Sequence, residues 1–148
     1  MKKNKGFSIV ELIVVVAIMA IVAGCLAPMV ITYINKARRS ADIDNGKNLA
    51  KAIMVALTDE SAKDNAVEHA TPQKVDNMDG SDFKDAVFDI LGVDKLEGKT
   101  KKDADGNTIS DPTFYYTLDS FKNKVEIYYG GVTEDYQIYP AVGDKMIK

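Results

Sequence analysis

The chain has 148 residues, a formal charge of −3 and a single cysteine, Cys25, so no intrachain disulfide can form. The length fits one folded domain plus an anchoring segment. An acidic chain with no basic cluster interleaved with aromatic residues after Arg39 gives no support to nucleic-acid binding by its larger part.

An uncharged segment fills most of the N-terminal quarter. Every residue from Leu12 to Ile31 is uncharged, and Glu11 is the one charged residue between Lys5 and Lys36. This run is long enough to cross a bilayer as a helix. A carboxylate near a membrane core is costly, so Glu11 is predicted to have a function and a partner. Basic residues flank both ends of the run, so charge alone does not orient it.

Helical periodicity continues past the apolar run to about Ser61. Apolar or small residues recur three and four apart: Ile43, Gly46, Leu49 or Ala50, Ile53 and Leu57. The other faces are polar, and Asp42, Asp44 and Asn45 are predicted to form a solvated face. Gly24 and Pro28 predict a kink or a melted turn near residues 24–28. The pattern therefore predicts one long helix, apolar all round in its first half and amphipathic in its second.

The polar segment 62–80 is predicted to begin a helix at Thr71-Pro72, where threonine would cap and proline would occupy the first turn. A clearer short helix begins at Ser81-Asp82-Phe83 and ends at Gly92. A charged, turn-rich stretch follows, from Lys99 to Asp111.

Three segments near the C-terminus are rich in tyrosine, phenylalanine, valine and isoleucine. They predict strands at Thr113–Leu118, Lys124–Tyr129 and Val132–Tyr139. Gly130-Gly131 fits a two-residue hairpin turn, and Asp119–Asn123 fits a longer one. About half of the strand tyrosines should lie in the core. Packing this antiparallel meander on the amphipathic half-helix gives an α+β fold.

The sequence offers little catalytic or metal chemistry. Asp103-Ala104-Asp105-Gly106-Asn107 suggests calcium, but Thr108 stands where an EF-hand loop needs glycine and Phe114 where it needs glutamate. An acidic tight turn is the favoured alternative. His69 is the only histidine and has no predicted metal-ligand or triad partner. We therefore expect no enzyme, metal or cofactor.

The first 40 residues resemble the N-terminus of type IV prepilins. A short basic leader, Met1-Lys2-Lys3-Asn4-Lys5-Gly6, precedes Phe7, and Glu11 is the fifth residue after the leader. Pro28 falls where that family often has a helix-bending proline. The resemblance implies cleavage after Gly6 by prepilin peptidase and N-methylation of Phe7. The lack of a C-terminal disulfide favours the disulfide-free pilins of some Gram-positive bacteria.

The resemblance also implies the organisation and role of the chain. Residues 1–6 would be the leader, 7–35 the transmembrane and assembly half of the helix, and 36–148 a pilin head. Within the head we expect a half-helix at 36–61, a loop and short helix at 62–98, and a sheet at about 99–140.

A pilin-like chain would be a single-pass prepilin in the cytoplasmic membrane and then a subunit of a surface pilus. It would assemble as a helical homo-oligomer with the inner-membrane pilus machinery. In that filament Glu11 would pair with the amine of Phe7 on an adjoining subunit, and the segment around Pro28 would extend.

Other interpretations remain open. The chain would be a major pilin, or else a pseudopilin of type II secretion or of DNA uptake. Val22-Ala23-Gly24-Cys25 also fits a lipoprotein cleavage box, which would make residues 36–148 a lipid-anchored monomeric binding module. Glu11 and the apolar residues that continue past Cys25 argue against the lipoprotein. An uncleaved helix anchor is a further variant.

Overall fold

The computed structural model describes residues 6–119 and 124–147. It divides into two compact units, Met1–Ile34 and Asn35–Lys148. The first five residues of the predicted leader lie outside the described residues, as do positions 120–123 of the longer predicted turn.

Helix α1, Ile9–Ala56, contributes residues to both units. In the first unit it is α-helical through Gly24 and Pro28, so the predicted melted turn is wrong. Thr32 Oγ1 donates to the Pro28 carbonyl at 3.1 Å. The helix continues through this turn although proline has no N–H to donate to the carbonyl of Gly24.

In the second unit the apolar stripe of α1 is buried, as its periodicity predicts. Leu49, Ala50 and Ile53 are fully buried, and Gly46 packs directly on Ile138. A Cβ built at Gly46 would lie 2.8 Å from Ile138 Cγ2, so only glycine allows this approach. The α+β prediction is confirmed, because an antiparallel sheet packs on this part of the helix.

The sheet has four antiparallel strands in the order β1-β2-β3-β4. They are β1 His69–Lys74, β2 Phe114–Asp119, β3 Lys124–Tyr129 and β4 Gln137–Tyr139. The second and third match two of the predicted strands within a residue. Of the six tyrosines in the predicted strands, three are buried, namely Tyr116, Tyr128 and Tyr129, so the expected proportion of about half is met. Tyr128 and Tyr129 are consecutive, so alternation alone does not explain their burial.

Three sequence predictions about this sheet are wrong. Thr71-Pro72 does not begin a helix but lies in the edge strand β1, whose register shifts between His69 and Gln73. Edge strands and irregular pairings tolerate proline, which has no N–H to donate. The last predicted strand shrinks to Gln137–Tyr139, because a 3-10 turn occupies Glu134–Tyr136. The Gly130-Gly131 pair is therefore part of a longer loop and not a two-residue hairpin.

Three shorter helices complete the second unit: α2 Glu60–Asp64, α3 Ser81–Leu91 and α4 Asp144–Ile147. The sequence predicts α3 correctly, including its end at Gly92. Gly92 has φ +68°, the left-handed conformation that closes a helix, and its N–H donates to the carbonyls of Phe88 and Asp89. The stretch 92–113 forms no named strand; Lys102 and Thr108 make an isolated bridge within it.

Candidate processing and assembly site

The start of α1 is fixed by a capping box formed by Ser8 and Glu11. The backbone N–H of Ser8 donates to Glu11 Oε2 at 2.9 Å, and Ser8 Oγ accepts from the N–H of Val10 at 3.3 Å. A serine followed three residues later by glutamate is the sequence signal for this arrangement. It satisfies donors that would otherwise be unpaired in the first turn. Sequence reasoning assigned Glu11 to assembly and missed this local contact.

The peptide bond between Gly6 and Phe7 lies just outside the helix. Residues 6–8 are in neither helix nor strand, and α1 begins at Ile9. The side chain of Phe7 is 83% exposed. Because α1 begins after the capping residue Ser8, the Gly6–Phe7 bond lies in exposed backbone outside the helix.

The remainder of α1 in the first unit presents apolar side chains on every face. All of its large apolar residues are exposed, from 41% at Ile34 to 78% at Ile9. By length and composition the helix could cross a membrane, and its most apolar stretch contains no buried residue. Burial is worth roughly 1.5–3 kcal/mol for each such side chain, so this surface strongly favours lipid or other protein over water.

The sequence-predicted site residues fall in two places. Gly6, Phe7 and Glu11 lie together at the start of α1, whereas Pro28 is inside the helix, roughly 25 Å further along at ~1.5 Å per residue. Cys25 also lies within the helix and is an exposed free thiol.

A buried carboxylate in the second unit was missed by sequence reasoning. Asp42, predicted to be solvated, has no exposed surface. Its two oxygens accept from the N–H of Lys99 at 3.1 and 2.9 Å, and Oδ2 accepts from the N–H of Thr100 at 2.7 Å. Asp42 thus ties the loop after α3 to α1. The one sequence signal for this burial was the position of Asp42 next to the apolar stripe of α1.

The same loop is held from its other side by Tyr129. The hydroxyl of Tyr129 donates to the Thr100 carbonyl at 2.8 Å, and burial together with the nearby charge of Asp42 raises the pKa of this phenol. A Cβ at Gly98 would lie 2.2 Å from the Tyr129 hydroxyl oxygen, so only glycine at this position lets the loop lie this close to the Tyr129 ring.

The acidic segment that suggested calcium is a closed turn. Asp103 is buried and accepts from the backbone N–H groups of Asp105 and Asn107 at 3.0 and 2.8 Å. Lys145 of α4 forms an ion pair with Asp105 and lies 3.9 Å from Asp103. Burial raises the pKa of Asp103, but hydrogen bonds from Asn107 and Tyr136 and the charge of Lys145 outweigh it, so the net pKa is lowered. These contacts use the carboxylate oxygens that a cation would need.

His69 packs at the edge of the sheet. Its ring meets that of Tyr116 edge-on, with centroids 5.7 Å apart, and its Nε2 lies 3.2 Å from Asp79 Oδ2. Within residues 6–119 and 124–147, no group of three histidine, cysteine, aspartate or glutamate side chains is placed to hold a metal ion.

Comparison with known proteins gives one match, and it falls on this site. Residues 1–24 match the family model described as the prokaryotic N-terminal methylation motif, which is the signature of type IV prepilins. No significant match was found among curated proteins or among solved structures. With its long apolar helix, the chain carries the N-terminal signature of the type IV prepilins, the pilin- and pseudopilin-like substrates of prepilin peptidase.

Proposed function

We propose that this protein is a structural subunit, the major pilin, of a type IV pilus. The observation that carries the proposal is the combination of the methylation motif at residues 1–24 with a helix whose large apolar side chains are exposed in the described part of the first unit. Such a surface suits a membrane before assembly and the interior of a filament afterwards. The chain would act without enzymatic activity or cofactor.

Prepilin peptidase would cut between Gly6 and Phe7, and Phe7 would then be N-methylated. The exposed, non-helical backbone at residues 6–8 supports this assignment, because a protease needs extended chain at the bond that it cleaves. Cleavage would remove the leader lysines and give Phe7 a free α-amino group.

In the filament, the carboxylate of Glu11 would pair with the Phe7 amine of an adjoining subunit. A charged side chain buried among apolar helices is tolerable only when it is paired. The capping contact with Ser8 shows how the carboxylate is occupied in the isolated chain. On assembly it would exchange the N–H of Ser8 for a charged partner, which also sets the axial register between subunits.

Pro28 would give the helix a point at which to extend when the subunit leaves the membrane. Proline removes the N–H that would pair with the carbonyl of Gly24, so this turn has one hydrogen bond fewer than its neighbours. Gly24 also lowers the helix propensity of the same turn.

The assembly role of Glu11 can be separated from its capping role. In Glu11→Gln the amide oxygen still accepts from Ser8 N–H, because glutamine also serves in a capping box, but the charge is lost. We expect this variant to be processed normally and retained in the membrane without filaments. Ser8→Ala is the matched control: it removes the hydroxyl cap, keeps Glu11 and should still assemble. Normal filaments from Glu11→Gln would refute the charge pairing.

N-terminal and intact mass spectrometry of the native surface protein tests the function itself. We expect a chain beginning at methylated Phe7. A lipidated start at Cys25, or an intact Met1, would contradict the pilin proposal and indicate an anchored surface domain instead. Pseudopilins share the N-terminal signature, so immunogold labelling of long surface filaments is the observation that would support a major pilin over a pseudopilin.

A further inference from the structure

One face of α3 carries three exposed carboxylates. Asp82, Asp85 and Asp89 are spaced three and four residues apart, so they lie on the same side of the helix. Asp85 and Asp89 repel each other across one turn. Asp89 also lies in the last turn, which holds no basic residue and where the helix dipole disfavours an acid. We call these three residues the acidic face.

No lysine or arginine among the described residues forms an ion pair with the acidic face. Lys84, the only lysine of α3, donates to the Asp76 carbonyl at 2.7 Å and has its ammonium 6.0 Å from the centre of the Phe88 ring. Within the described part of the chain, neither Asp85 nor Asp89 has an ion-pair partner. The arrangement therefore costs the isolated subunit free energy, which a positively charged partner would recover.

A group of exposed lysines occupies a different part of the same unit. Lys99, Lys101 and Lys102 lie in the loop that Asp42 ties to α1, and no ion pair involves them in the part of the chain that the structure describes. Segments 35–47 and 99–105 together hold seven basic and four acidic residues. Two of those acids, Asp42 and Asp103, are buried against backbone N–H groups. We call the three residues the lysine cluster.

Contacts with α1 and with α2 place the two charged groups on different parts of the second unit. The lysine cluster begins beside Asp42, whereas the end of α3 lines a groove of about 340 Å³ with α1 residues from Asn45 to Val55. Measured from Asp42 at ~1.5 Å per residue, these α1 residues lie roughly 5 to 20 Å along the helix. The start of α3 is next to the segment after α1, where Asp82 accepts from the side chain of Asn65 at 3.2 Å. Within the described residues no ion pair joins the acidic face to the lysine cluster.

We propose that the acidic face of one copy docks onto the lysine cluster of the next copy in the filament. Two different surfaces of one subunit make a heterologous contact, which can repeat without closing, as a helical filament requires. Beside the acidic face, the exposed side chains of Ile90, Val93 and Val55 supply apolar area to the same contact. This inference rests on the proposed pilin function and deepens it by naming the surfaces between heads.

Charge exchange tests the contact in the native cell, by the yield of filaments sheared from the surface. We expect Asp85→Lys/Asp89→Lys to lower the yield at least about tenfold, since every contact along the filament changes from attraction to repulsion. Lys101→Glu/Lys102→Glu should do the same. The four substitutions together restore the attraction with its sign reversed, so the yield should return to at least about half of wild type. Near-UV circular dichroism of each detergent-solubilised protein checks that the head remains folded.

Glu134→Lys/Asp135→Lys is the matched control, because it reverses two exposed acids outside α3. Tyr136 of the same turn contacts Asp103, so the new lysines add positive charge on the lysine side of the contact and should leave filaments unchanged. Loss of filaments in this control as well would show that only net charge matters and would overturn the proposal. So would normal filaments in either reversed variant. If the lysine variant alone loses filaments and the combined variant does not recover, the lysines act elsewhere, for example on anionic lipid, and the contact is wrong. A wild-type chain that forms no filaments would instead refute the proposed function.

Discussion

Replacing Asp42 by alanine should destabilise the second unit substantially. Its carboxylate is fully buried and accepts from the N–H groups of Lys99 and Thr100, so the variant leaves the buried N–H of Thr100 and the partly buried N–H of Lys99 without this partner. An unsatisfied buried donor costs about 1–3 kcal/mol, so Thr100 alone gives a loss of about this size and Lys99 adds to it. This is a large part of the roughly 5–15 kcal/mol that stabilises a typical domain.

The loss is measured by urea unfolding of the full chain in detergent, followed by near-UV circular dichroism of the head tyrosines. Asp44→Ala is the control, because Asp44 is exposed on the same helix and its loss should change stability by less than about 0.5 kcal/mol. Hydrogen exchange at Lys99 and Thr100 should accelerate in Asp42→Ala only. A variant as stable as wild type, with both amides still protected, would show that the buried carboxylate does not hold the loop.

Two further substitutions test the packing and the electrostatics of the second unit. Gly46→Val places side-chain atoms against Ile138 and should cost about 1–3 kcal/mol of unfolding free energy, whereas Gly24→Val, with nothing within 4 Å of its Cβ, should leave head stability unchanged. The hydrogen bond from Lys74 lowers the pKa of Asp111 from 3.8 to about 2, so its stabilisation is present above about pH 4 and lost as the pH falls through 2. Asp111→Asn should therefore destabilise at pH 7 but match wild type near pH 2. A difference from wild type that persisted unchanged near pH 2 would contradict this assignment.

The helices and central strands could be predicted from local pattern. The period of the apolar residues in α1 and α3, the glycine that ends α3 and the alternation in β2 and β3 are all properties of short segments. The strand β1 could not be predicted in this way, because its only strong local signal, Thr71-Pro72, is typical of a helix start. Pairing with β2 decides its conformation, and Thr71-Pro72 sits where that register shifts.

The candidate site divides in the same manner. The motif around Gly6, Phe7 and Glu11 is contiguous, so sequence alone identifies it, and residues 1–24 match the methylation model. The surroundings of Asp42 are not contiguous, since its donors lie 57 and 58 residues further along the chain. The only local difference from Asp44 is helical spacing, because Asp42 lies four residues before Gly46 and next to the apolar stripe.

The sequence by itself determined the apolar helix, its N-terminal signature and the α+β class, because hydrophobic periodicity and short motifs act between near neighbours. Only the tertiary structure decided which charges are buried and which stay exposed, because that depends on the distant segment that packs against each one. Asp42 is enclosed by the loop at Lys99, whereas Asp85 and Asp89 of α3 are exposed and have no ion-pair partner in the described residues. Burial thus separates an aspartate that holds the head together from the aspartates that we propose join one head to the next.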